Sequence, residues 1–105
     1  MVTVVNSVSE FETILQNNEK VVVDFFATWC MPCKMMGPVV DEVSVERKDL
    51  FVAKVDVDKL PELAQKYNVY SIPHVEVFAG GQARGNIVGY HDKVQLIRDI
   101  DGYLK

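Results

Sequence analysis

The sequence predicts a three-layer α/β domain, a mixed sheet with helices on both faces, and three observations lead there. Short β-branched runs alternate with helical stretches early in the chain, the pattern of parallel strands joined by crossover helices. Two later runs are separated only by a glycine turn, which makes part of the sheet antiparallel. The run "KVVVDFFA" (20–27) is apolar almost throughout, as suits a strand covered on both faces.

The elements follow in order. "VTVV" (2–5) is a first strand, and Ser9 with Glu12 fits a capping box opening a helix that carries Phe11, Ile14 and Leu15 inward. After the strand 20–27 the pattern turns helical from about Met31, with Met36, Val39, Val40 and Val43 on one face. Pro38 inside that helix lacks an N–H and predicts a kink. "LFVAKVDV" (50–57) is a strand, and Pro61 opens a short helix. "PHVEVF" (73–78), the turn "AGGQ" (79–82) and "NIVGY" (86–90) form a hairpin. Asp92 caps a last helix that carries Val94, Ile97, Ile100 and Leu104 inward.

With 105 residues the chain suits one domain, 1–105, and is too short for two. Its 49% hydrophobic and 25% charged residues are those of an ordinary globular protein. A net charge of −4 with no basic stripe argues against nucleic acid. No apolar run reaches the ~20 residues of a membrane span. "MVTVVNSVSEFE" has no basic segment leading into an apolar run, so no secretory signal is expected. Taken as complete, the chain is expected to be cytoplasmic, where a close cysteine pair is more often catalytic or metal-binding than structural.

The only two cysteines lie in "ATWCMPCKMM" (27–36), where a core strand ends and a helix begins. First-turn N–H groups have no partner within the helix, and the macrodipole adds partial positive charge, so both favour a thiolate at Cys30. Cys33, one turn on, can close a small disulfide ring. Cys30 then attacks a substrate disulfide and Cys33 resolves the mixed disulfide. Asp24, the one carboxylate in its strand, is the candidate base for Cys33, because burial raises a carboxyl pKa toward a useful range. Lys54 in the neighbouring strand is its candidate counter-charge, although a strand lysine is more often a snorkelling surface residue. A zinc or iron–sulfur site needs about four ligands, and the chain has only two cysteines and two histidines, so no metal is expected unless acidic residues or water complete a site within the chain or the site bridges two subunits.

"VVVDFFATWCMPCKMMGPVV", followed by "VAKVDVD", "YNVYSIP" and "IVGY", resembles the thioredoxin family from end to end. The resemblance implies the thioredoxin fold, a central mixed five-stranded sheet flanked by four helices. It implies Cys30 as nucleophile, Cys33 as resolving thiol, Trp29 as the ring over the site, and Asp24 with Lys54 as buried acid and lysine neighbour. Ile72-Pro73 matches a loop whose proline is cis and whose backbone pairs with an extended substrate. Gly89 matches the glycine of the substrate groove, flanked by Val88 and Tyr90. The implied activity is protein disulfide reduction with no bound cofactor, the Cys30–Cys33 pair being restored by a thioredoxin reductase with electrons from NADPH. Implied clients are peroxiredoxins, methionine sulfoxide reductases and ribonucleotide reductase, and the implied state is a monomer.

Two positions depart from the family. The dipeptide between the cysteines is Met31-Pro32 where Gly-Pro is usual, and this bears on reducing strength and docking. His74 replaces the usual threonine after the cis proline and either brings pH dependence or pairs with Glu76 on its strand face. Met35 and Met36 read as core filling, and His91 as exposed near a helix start. The alternatives to a reductase are an oxidant or isomerase on the same fold, and a non-catalytic module gripping a partner through Trp29, Met31, Ile72 and Val88.

Overall fold

A computed structural model describes all 105 residues. The elements are β1 (Thr3–Val4), α1 (Val8–Asn17), β2 (Lys20–Phe26), α2 (Met31–Glu46), β3 (Phe51–Asp56), α3 (Pro61–Lys66), β4 (His74–Ala79), β5 (Gln82–Val88) and α4 (Lys93–Leu104). The order and number of elements agree with the sequence expectation. One five-stranded sheet runs β1-β3-β2-β4-β5. β1, β3 and β2 are parallel, while β4 is antiparallel to both β2 and β5.

β2 lies in the middle of the sheet, which is why its run is apolar on both faces. Its odd-numbered residues Val21, Val23 and Phe25 join Phe11 and Ile14 of α1 and Leu63 of α3. Val22 instead meets Met36, Val40 and Val43 of α2 and Leu96 and Ile100 of α4. The sheet therefore separates two cores, with α1 and α3 on one face and α2 and α4 on the other.

Four local expectations need correction. α1 is capped by Ser7, whose hydroxyl oxygen accepts the Glu10 N–H at 3.0 Å, rather than by Ser9. The Glu10 carboxylate in turn accepts the Asn6 N–H at 2.6 Å. Two S-x-x-E boxes overlap here, and the earlier one gives Val8 and Phe11 a helical turn on which to pack. In α4 the inward stripe is Leu96, Ile100 and Leu104, supported by Ile97, while Val94 is exposed. Leu96, Ile100 and Leu104 are four apart and share a face; Val94 lies two positions before Leu96, on the opposite side. β5 begins at Gln82, not at residue 86, because its first half is a polar edge that carries no apolar signal. Met35 is exposed, and only Met36 fills the core.

The β4–β5 turn is made by Gly80 and Gly81, both at positive φ (59° and 78°), which glycine adopts without steric cost. Asp92 caps α4 as expected, accepting the Gln95 N–H at 2.9 Å.

Candidate active site

The site forms where β2 ends and α2 begins, at the edge reached by the loop before β4. Cys30 is the N-cap of α2, and the Cys33 N–H points at its sulfur from 3.3 Å. Cys30 and Cys33 are disulfide-bonded, with their Cα atoms 5.3 Å apart. Both residues are buried and pack with Ala27 against Phe26, Val57 and Ile72. Pro32 stands in the first turn of α2, where a missing N–H costs nothing. An open cleft of about 380 Å³ lies beside Cys33, lined also by Phe26, Ala27, Lys34, Gly37 and Lys54.

The loop before β4 closes on the other side. The Ile72–Pro73 peptide is cis, and the Ile72 carbonyl oxygen lies 3.8 Å from Cys30 Sγ. Pro73 accepts the Gly89 N–H at 2.8 Å, tying this loop to the end of β5. Gly89 has a φ of 91°, a conformation that an L side chain would strain. Val88 and Tyr90 on either side of it are exposed. Of the residues assigned to a substrate groove, Ile72, Pro73 and Gly89 are brought together by these contacts, while Trp29 and Met31 flank Cys30 in the chain and, like Val88, are exposed.

Trp29 is 70% exposed and does not fill the core. Its indole N–H donates to Asp58 in the turn after β3, at 2.8 Å. Asp58 was not legible as a site residue, because its partner is 29 positions away and nothing local marks it.

Asp24 lies on the α2/α4 face of β2 with 1% of its surface accessible, and neither carboxylate oxygen has a hydrogen-bond partner in the protein. Burial pushes its carboxyl up from 3.8 to about 6, against the attraction of Lys54 and aided by the repulsion of Asp41. Lys54 is the register partner of Asp24 across β2 and β3. Its ammonium nevertheless makes no ion pair with the carboxylate; it sits over the Phe26 ring, 5.4 Å from the centroid, facing Gly37 of α2.

On the opposite face His74 and Glu76 are both buried, His74 Nε2 lying 2.5 Å from Glu76 Oε1. The polar-pair reading of His74 is the one the geometry gives. Phe25 stacks edge-on against the imidazole at 5.7 Å. His91 is half-buried, its Nδ1 3.0 Å from the Gly89 carbonyl oxygen, which makes that nitrogen a donor. No group of three or more His, Cys, Asp or Glu side chains is gathered as a metal site.

A cysteine pair closing on the first turn of a helix, set at the end of a mixed sheet of this topology, defines a thiol–disulfide oxidoreductase. The thioredoxin family model matches residues 2–102. The thioredoxin of Mycobacterium tuberculosis H37Rv is 49% identical over 88 residues, covering 83% of this chain and 76% of that protein. A bifunctional thioredoxin reductase/thioredoxin of Mycobacterium leprae is 48% identical over 97 residues, which are 91% of this chain and only 21% of that longer protein. Among solved structures, Plasmodium falciparum thioredoxin superposes with a TM-score of 0.90 at 37% identity, over 96% of this chain and 98% of that one. The chain belongs to the thioredoxin family, and its activity is dithiol–disulfide exchange at the Cys30–Cys33 pair.

Proposed function

We propose that this protein, acting as a single domain over residues 1–105 and as a cytoplasmic monomer, reduces disulfides in other proteins with distinct roles for each site residue. The reduced Cys30 thiolate attacks one sulfur of a substrate disulfide. That bond breaks, a substrate thiolate leaves, and Cys30 is joined to the substrate. Cys33 then gives up its proton and attacks Cys30 Sγ, releasing the second substrate thiol and leaving the Cys30–Cys33 disulfide. The observation that carries this division is the position of Cys30 as N-cap, where the Cys33 N–H and the helix N-terminus stabilise an anion.

Asp24 accepts the proton of Cys33. A carboxyl with a pKa of about 6 is ionised at neutral pH and close enough to neutrality to exchange protons readily. Lys54 holds that value down by attraction. The substrate lies extended against the Ile72–Pro73 loop, in a groove bounded by Trp29, Met31, Val88 and Gly89. A thioredoxin reductase drawing on NADPH restores the dithiol, a pairing supported by the M. leprae relative that names both activities in one chain. Clients are the family's peroxiredoxins, methionine sulfoxide reductases and ribonucleotide reductase. The domain binds no cofactor of its own, and nucleic acid and membranes are not among its partners. No helix is long and apolar enough to cross a membrane.

The test has two parts. Cys33→Ser mixed with a protein disulfide accumulates a covalent adduct through Cys30, whereas Cys30→Ser forms none; retained turnover in both variants overturns the assignment. Equilibration with glutathione at pH 7 then fixes the direction. A potential at or below about −220 to −260 mV supports a reductant, and one near about −180 mV means that Met31-Pro32 has made an isomerase or oxidant.

A further inference from the structure

Two thioethers stand in solvent beside the disulfide. Met31, the first residue of α2, is 64% exposed, and Met35, one turn further, is 56% exposed. Side chains four apart on a helix are neighbours, so the two sulfurs belong to one patch. Met36, next in sequence, is fully buried against Val22 and Val40. Trp29, two positions before Met31 in the chain, is exposed as well, where the groove proposed above would receive a protein substrate. In the disulfide state both cysteines are bonded and buried, which leaves these thioethers as the accessible oxidisable sulfurs of the site.

We infer that Met31 and Met35 form a reversible oxidation site, at which peroxide converts the thioethers to sulfoxides and weakens docking of protein disulfides. The inference rests on the groove reading proposed above. A sulfur lone pair attacks one oxygen of hydrogen peroxide; the S–O bond forms, the O–O bond breaks, and the departing hydroxide takes up a proton as water. Sulfur loses two electrons and peroxide gains them. A flexible apolar side chain becomes polar and chiral, with a strong acceptor oxygen that loses its water when a partner covers it. Reversal by a methionine sulfoxide reductase returns the thioether and water and converts one dithiol to a disulfide. Where that dithiol is Cys30–Cys33, the protein supplies the electrons for its own repair.

The experiment treats the disulfide form with hydrogen peroxide, maps the added oxygens by peptide mass spectrometry, and measures insulin reduction with dithiothreitol as the recycling reductant. The expected result is one oxygen each on Met31 and Met35, none on Met36, and a KM for insulin raised about ten-fold. Reduction of a small aromatic disulfide, which does not need the groove, changes less than about two-fold. Met31→Leu with Met35→Leu loses the peroxide effect relative to its own untreated rate, and a methionine sulfoxide reductase restores the treated native protein. An unchanged KM with both sulfoxides present overturns the inference, as does undiminished sensitivity in the double leucine variant. Untreated Met31→Gln separates the two readings. If it raises KM while peroxide does not, the groove stands and the oxidation site falls; if it leaves KM unchanged, the groove reading itself fails.

Discussion

On the α2/α4 face of the sheet Asp24 is buried with no hydrogen-bond partner on either oxygen, while on the α1/α3 face His74 and Glu76 are buried against each other. The two sites are close in the sheet, since Asp24 is opposite Val75 and His74 is opposite Phe25. They differ in what burial does. A lone carboxyl can relieve the cost of a buried charge only by keeping its proton, so its proton affinity rises, here to a pKa of about 6. A paired acid and base satisfy each other and become part of the architecture. The protein places the lone acid on the face of the helix that carries Cys33, and the satisfied pair on the other.

A large effect is expected from breaking the pair. Glu76→Leu leaves the His74 imidazole buried without its hydrogen-bond partner and costs about 1–3 kcal/mol, read by urea unfolding. Adding His74→Thr removes the orphan and recovers most of that loss, because replacing a whole buried pair is often close to neutral. Failure to recover means that the two residues act separately.

Asp24 should behave in the opposite sense. Between pH 3.8 and about 6 the folded state keeps a proton that the unfolded chain has released. Stability therefore falls as pH rises through that window, by about 3 kcal/mol in total from this group. Asp24→Asn removes the penalty, so the variant is more stable than the native protein above pH 7 by about that amount and equal to it near pH 3. A gain in stability coupled to a loss of turnover is the signature of a group retained for chemistry. Lys54→Met sharpens the point: Lys54 pulls the Asp24 carboxyl down, so its removal moves the midpoint up, and carboxyl NMR reads the shift directly. The smallest effect is at the exposed extreme. Asp58→Ala frees the Trp29 indole and costs under about 1 kcal/mol, because water replaces the lost bond at an open rim.

The same contrast explains what the sequence showed and what it hid. Asp24 was legible because a carboxylate inside "VVVDFF" has nowhere polar to go, and the strand is central. The His74–Glu76 pair was legible as a shared strand face at i, i+2, since strand geometry alone sets that relation. Features that depend on distant chain were not. Asp58 acquires its role from an indole brought across 29 positions. The α4 stripe could be read in two phases, and only packing on β4 and β5 selected Leu96 over Val94. The start of β5 was hidden because an edge strand facing solvent carries polar residues with no alternation to betray it. Gly85 in that strand has no turn to explain it, and its reason lies in α4: a Cβ there would stand 2.2 Å from the Tyr103 ring.

The most direct test of the account is the rate of the resolving step, measured by rapid mixing as Cys33 displaces a chromophoric thiol from a mixed disulfide on Cys30, across pH 4 to 9. If Asp24 takes the Cys33 proton, the native rate rises through a midpoint near 6, and Asp24→Asn loses that inflection and is slower by about 100-fold or more. Superimposable profiles for the two proteins contradict the account and make the buried carboxyl a bystander.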